Sequence, residues 1–343
     1  MSRGVIAPVS SCHVCPPLSL VPASVCAVPL FMPVNDLRVQ QTSKKAAFVD
    51  FCVVAFSLIL VVLCRNLFSM SQGSSGVFVH VAETKANVPG LAGAFVAQAS
   101  ARAIQERGRF VIALSGGSLP GLLASGLVDD KTVEWDKWHV FFADERIVPL
   151  DHKDSNYLGC HEALFSKVPI PREQIYTIDP SLDPVACAKS YESTLSKICQ
   201  NAIDLAMLGM GPDGHTCSLF PEHPLLKENV LRVASIIDSP KPPPQRITLT
   251  LRAIQEAKQV AFVAAGGGKS ETIVQVLLNA KVDFSSEQTV CSYTSGVDAD
   301  NGSLLPSSIV QKVAKETHWF VDKPAAEGIL AKCDMAPTTS SSM

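Results

Sequence analysis

The feature that most constrains this chain is a series of short, uninterrupted apolar runs, each stopped by a glycine, an aspartate or a serine–glycine pair. They are Phe110–Leu114, Val140–Ala143, Ile203–Leu208 and Val260–Ala265. A strand with no polar face must be buried on both sides. Such runs, separated by helix-patterned segments, indicate a parallel sheet covered by helices. Val77–Val81 supplies an earlier strand, and Asn87–Gln105 places Leu91, Phe95, Val96, Ala99 and Ile104 at amphipathic-helix spacing. Ile247-Thr248-Leu249-Thr250-Leu251 alternates and reads as a half-exposed edge strand, approached by a rigid Pro242-Pro243-Pro244 loop. No internal repeat or long linker divides this stretch. The expectation is one α/β domain over residues 77–330, a mainly parallel central sheet flanked by helices, with a flexible tail at 331–343.

The N-terminal part is a different kind of polypeptide. Residues 1–76 hold five Lys/Arg against two acids, while 77–343 hold 24 against 30. The net charge of −3 therefore divides into about +3 and about −6. The first 45 residues contain six prolines and no helical period, and Phe51–Cys64 runs fourteen residues without a charge. That is short of the roughly 20 apolar residues that span a bilayer. Residues 1–76 read as a non-globular leader preceding the body. Three roles compete for it: a membrane anchor through 51–64, a cleaved plastid-type targeting segment, or an extension outside the fold. Met70 offers an alternative start, which would leave residues 1–69 off a cytoplasmic body.

Five of the eleven cysteines lie in the leader, and the other six are scattered without paired spacing. This is no disulfide framework, and the body reads as a reducing-compartment protein with free thiols. Cys12-His13-Val14-Cys15 lacks a second ligand pair at zinc spacing, so no metal is expected. The weakly acidic balance lacks the clustered basic face that nucleic acid requires.

Four motifs stand at the ends of the expected strands, where open α/β sheets bind ligands. Ser115-Gly116-Gly117-Ser118, followed by Leu119-Pro120, breaks a strand and restarts as a helix, which aims backbone N–H groups at one anion, or else forms an ordinary turn. Gly266-Gly267-Gly268-Lys269-Ser270 is a second glycine-rich helix start. It is no P-loop, because Val263 stands where that pattern needs glycine. Gly209-Met210-Gly211-Pro212-Asp213-Gly214-His215 satisfies G-x-G-x-x-G literally, so a dinucleotide site competes. Against it, Asp213 repels a pyrophosphate and Pro212 removes an N–H. Asp213 and His215 read instead as a carboxylate holding an imidazole ready as a base. Asp144-Glu145-Arg146 is a surface ion-pair cluster or, with Arg146 as a bidentate cation, part of a phosphate site. Ser115 lacks the leading glycine of a nucleophile elbow, which leaves serine hydrolysis a minor alternative.

Together and in this order, the motifs resemble those of the 6-phosphogluconolactonases. LSGGSLPGLL, WHVFFADERIVPLDHKDSNY, DLAMLGMGPDGHTCSLFPEHPLL, KPPPQRITLTL, AAGGGKSETI and HWFVDKPAA carry the resemblance from about Val77 to Ala326. The related glucosamine-6-phosphate deaminases share the serine–glycine loop and the Asp-Gly-His core. Deaminases, however, usually carry tyrosine at the position of Arg146, and Asn-Glu-Pro where this chain has Leu219-Phe220-Pro221. The resemblance implies hydrolysis of 6-phosphoglucono-δ-lactone without a cofactor, a metal or an obligatory protein partner. It places the substrate phosphate on Ser115, Gly116, Gly117 and Ser118 with Arg146 and Lys269. His215 is then the general base oriented by Asp213, Asp144 also lines the site, and backbone N–H groups near Gly214 face the developing oxyanion. A deaminase reaction and a non-catalytic sugar-phosphate sensor are the alternatives.

Overall fold

All five side chains of Phe110–Leu114 are buried, as an apolar run without a polar face requires. They divide by parity. Phe110, Ile112 and Leu114 enter one core, and Val111 and Ala113 enter the other, on the opposite face of the sheet. The computed structural model describes residues 76–200, 202–277, 281–285, 292–294 and 305–334. The leader readings on residues 1–75 lie outside them.

β1 (Gly76–Ala82) leads into α1 (Val88–Arg107), β2 (Phe110–Leu114), α2 (Leu119–Leu127), β3 (Trp138–Phe142) and the short β4 (Asp144–Arg146). Then come α3 (Asn156–Ala163), α4 (Pro184–Cys199), β5 (Leu205–Gly209), β6 (Val233–Ile236) and β7 (Arg246–Leu249). α5 (Leu251–Glu256), β8 (Gln259–Ala264), α6 (Ser270–Leu277), β9 (Lys281–Ser285) and β10 (Ser292–Thr294) follow. The described chain ends with α7 (Pro306–Val313), β11 (Glu316–Asp322) and α8 (Lys323–Asp334). The main sheet has the order β10-β9-β1-β11-β8-β5-β2-β3. All its neighbours run parallel except β10 against β9.

The expected strands and first helix therefore form, with ends moved by one or two residues. α1 stops at Gly108, whose φ of 72° lets its N–H close on the Ile104 carbonyl. α4 starts where Asp183 accepts from the Val185 and Ala186 N–H groups. Cys160, Cys187, Cys199 and Cys217 are free thiols, all buried. At the other end α8 continues through Asp334, past the expected boundary at 330.

One strand differs in kind. Arg246–Leu249 is the buried middle strand of a second sheet, β4-β7-β6, rather than a half-exposed edge. Its alternation misleads because the threonines spend their hydroxyls internally. Thr248 Oγ1 accepts from the Ser218 N–H at 3.1 Å, and Thr250 Oγ1 donates to the Leu231 carbonyl at 2.6 Å. This small sheet grows from the end of β3, where Ala143 takes its N–H to Leu114 and gives its carbonyl to Leu249.

α1 and α2 touch through glycines. A Cβ on Gly93 would lie 2.5 Å from the Gly126 carbonyl oxygen, and one on Gly126 would overlap the Pro89 carbonyl. Gly126→Val is therefore expected to cost about 2–3 kcal/mol by overpacking. Gly121→Ala on the same helix meets open space and should be neutral or stabilising by up to about 1 kcal/mol. Guanidinium unfolding midpoints of the two variants check the contrast.

Candidate active site

Within the main sheet the chain passes from β2 to β3 on one side, and from β5, by way of β6 and β7 of the small sheet, to β8 on the other. The crevice beyond the carboxyl ends of the neighbours β2 and β5 is where an open α/β sheet holds a ligand. Both motif loops leave from it. The first continues the ladder for one residue, Ser115 N–H to the Met207 carbonyl at 3.0 Å, then turns through Gly117 at φ 71° into α2. Gly116 admits no side chain there, because a Cβ would overlap the Asn156 amide. The Ser115 hydroxyl is buried without a hydrogen-bond partner, and Ser118 stands exposed at the start of α2.

The second loop folds on itself. The Gly211 N–H donates to the His215 carbonyl at 2.9 Å, and the Gly214 N–H donates to the Gly211 carbonyl at 3.1 Å. Gly214 needs its φ of 73° and the absence of a Cβ, which would press on Leu305. A Cβ on Gly211 would overlap the His215 ring. The Gly214 N–H is thus spent inside the loop. No helix follows this loop before Phe220, and without one a pyrophosphate finds no dipole, so the dinucleotide fingerprint is a sequence coincidence.

His215 Nδ1 lies 2.5 Å from Asp213 Oδ1, and its ring stacks on Phe220 with centroids 5.0 Å apart. Among the described residues nothing engages Nε2. Hydrogen bonds from His215 and Lys241 outweigh partial burial and hold the Asp213 carboxyl at about 2. Burial of the ring, joined by the Lys241 ammonium, lowers the proton affinity of His215 below the ordinary imidazole value against the pull of Asp213. Lys269 reaches this loop as well. Its ammonium donates to the Met210 carbonyl, and burial lowers its pKa.

Asp144 and Glu145 are 5% and 1% exposed, so the acidic cluster is interior rather than a surface ion pair. A charged strand end goes inside here because each carboxylate has dedicated donors. Asp144 Oδ2 accepts from Ser218 Oγ at 2.8 Å and faces Arg146 and Arg246, each at 3.9 Å. Glu145 accepts from the Asn156 and Tyr157 N–H groups at 2.7 and 2.8 Å, which seats the start of α3. Asn156 in turn donates to the Asp144 carbonyl at 2.8 Å while its amide fills the space above Gly116. Arg146 donates to the Asp154 carbonyl at 2.9 Å, and its buried Nε, 3.9 Å from Asp144 Oδ2, makes no hydrogen bond among the described residues.

The structure thus gathers the expected residues in two groups. Ser115–Ser118, Asp144 and Arg146 form one, and Asp213, Gly214, His215 and Lys269 the other. Sequence reasoning assigned no role to Asn156, Glu145, Lys241 or Arg246. The KPPPQR segment carried the only signal for the last two. Arg246, 3% exposed, donates to the carbonyls of Lys241, Pro242 and Pro243 and so fixes the loop that delivers Lys241.

Against known proteins, the model of a family described as glucosamine-6-phosphate isomerases/6-phosphogluconolactonase matches residues 83–319. The chain belongs to this family. A Schizosaccharomyces pombe member named probable 6-phosphogluconolactonase is 42% identical over 252 residues, covering 69% of this chain and 90% of that one. A rice member, Oryza sativa subsp. indica, named probable 6-phosphogluconolactonase 3, chloroplastic, is 41% identical over 246 residues, covering 67% and 69%. The crystal structure of 6-phosphogluconolactonase from Thermotoga maritima superposes with a TM-score of 0.58 at 26% identity, covering 72% of this chain and all of that one.

Burial pushes the Glu145 carboxyl up to about 7, against the backbone N–H groups it accepts. A carboxyl raised in the fold contributes stability that is complete below its unfolded value, about 4.5, and is lost as pH rises through 7. Glu145→Gln removes that contribution. The melting temperature of the natural protein, relative to the variant, should therefore fall between pH 4.5 and 7, and parallel pH profiles would contradict it.

Proposed function

We infer that this protein hydrolyses 6-phospho-D-glucono-1,5-lactone to 6-phospho-D-gluconate, the lactone-opening step of the oxidative pentose phosphate pathway. The family includes amino-sugar-phosphate isomerases, but relatives at 41–42% identity are named for the lactonase. One observation carries the chemistry: an Asp-held imidazole, its second nitrogen engaged by none of the described residues, stands on the loop after β5, the strand next to the one that ends in the Ser115–Ser118 turn.

The substrate phosphate takes the Ser115–Ser118 loop, with the unpartnered Ser115 hydroxyl and Arg146 Nε as donors. Such remote binding energy fixes the lactone ring against His215. His215 Nε2 removes a proton from water as that oxygen bonds to the lactone carbonyl carbon. The ring C–O bond then breaks, and the imidazolium returns the proton to the leaving ring oxygen. Asp213 orients the imidazole throughout and balances its transient charge. Asp144 holds Arg146 and Arg246 in place. Lys269, tied to the Met210 carbonyl, supports the base loop.

Assay of the full chain on freshly made lactone, with coupled NADP reduction by 6-phosphogluconate dehydrogenase, tests this reading above the spontaneous rate. His215→Ala should lose about a hundredfold or more in kcat. Arg146→Ala should weaken binding by about 1.5–3 kcal/mol, seen in KM. Full activity in His215→Ala would overturn the base assignment.

For location, no helix among the described residues is long and apolar enough to cross a membrane. Residues 1–69 act as a plastid-targeting segment. Their acid-poor, serine-containing composition supports this, as does a 41% identical rice relative named chloroplastic. Isolated chloroplasts should import and shorten the full chain but not residues 70–343, and equal import of both would refute it.

A further inference from the structure

Three groups meet at one nitrogen in this site. His215 Nδ1 lies 2.5 Å from Asp213 Oδ1 and 3.0 Å from the Lys241 ammonium. The same ammonium lies 3.2 and 3.1 Å from the two oxygens of Asp213. A carboxylate alone beside an imidazole favours the charged ring, and an imidazolium has no lone pair with which to accept a proton. A fixed positive charge at hydrogen-bond distance from the same nitrogen opposes that outcome.

We propose that Lys241 is a positioning residue for the lactonase reaction: its charge keeps the resting His215 ring neutral, while the Asp213 carboxylate accepts from Nδ1–H and leaves Nε2 open as the base. The proposal rests on His215 being that base. The placement of Lys241 is built rather than incidental. Its carbonyl accepts from Arg246 Nη2 at 2.8 Å and from Ser239 Oγ at 2.9 Å, and its N–H reaches Ser239 Oγ at 3.3 Å. Its ammonium sits 5.9 Å from the centroid of the Phe220 ring on which His215 stacks. Asp213 and Asp144 are the negative groups acting on the imidazole, and Lys241 is the positive one. Lys269 acts one step away, through its interaction with Asp213. Lys241 is therefore the counterweight that lets Asp213 orient the imidazole without charging it.

The arrangement also suits turnover. When His215 takes the proton from water, the ring becomes positive beside an ammonium, which favours prompt return of that proton to the leaving oxygen. The reset does not depend on a change of shape.

The test uses the full chain with Lys241→Met and Lys241→Arg. Methionine keeps an unbranched apolar stem and removes the charge, while arginine restores it. The His215 imidazole signal, assigned by its disappearance in His215→Asn, is followed by NMR across pH 4–9. In Lys241→Met it should titrate about one unit or more higher than in the natural protein. The acid limb of kcat/KM should move up with it, so activity is lost at low pH and recovered at high pH. Lys241→Arg should return both toward the natural profile. An unchanged His215 titration in Lys241→Met would overturn the proposal, as would a loss of activity by the same factor at every pH, the mark of a substrate ligand. The NMR readout needs no turnover, so it separates this proposal from the base assignment, which only His215→Ala activity can sink.

Discussion

Much of this site depends on one buried carboxylate, Asp144. A charge taken out of water costs several kcal/mol unless donors replace the lost hydration. Here Ser218 and the amide of Asn156 supply hydrogen bonds, and two guanidiniums approach the same oxygen, Oδ2, each at 3.9 Å. Ser218, Asn156 and Arg246 come from three other segments, and Arg146 shares the strand of Asp144. Satisfying one carboxylate therefore pins together the end of β3, the start of α3, the turn after His215 and the middle of the small sheet. Removing Asp144 would leave Arg246 buried against its own kind of charge, and the loop that carries Lys241 would lose its anchor.

Division of labour follows from the sheet order. Parallel neighbours β2 and β5 end at the same crevice, so two loops of different chemistry emerge side by side. The β2 loop offers backbone and a buried hydroxyl, and Arg146 comes to it from β4, which together suit an anion that does not react. The β5 loop offers an imidazole held by a carboxylate at Nδ1, with an ammonium 3.0 Å from the same atom.

Much of this was legible in the sequence. Phe110–Leu114 could be placed to the residue because a doubly buried strand admits no polar side chain. Asp213 and His215 could be paired because two residues in one glycine-rich loop must meet. Arg246–Leu249 was misread because Thr248 is polar yet buried, and only its tertiary partner reveals why. Lys241 was missed for a related reason: it stands 26 residues from His215 and arrives through backbone contacts with Arg246, which no local pattern encodes. Glu145 looked like a surface charge because its donors are main-chain groups of a helix start, invisible in side-chain identities.

A crystal structure of the full chain with 6-phosphogluconate bound tests the division of the site most directly. The phosphate should lie on the backbone of Ser115–Ser118 within hydrogen-bond distance of Ser115 Oγ and Arg146, and the carboxylate should face His215 Nε2. A phosphate seated instead against Lys269 and His215, with the sugar turned away from the base, would contradict it.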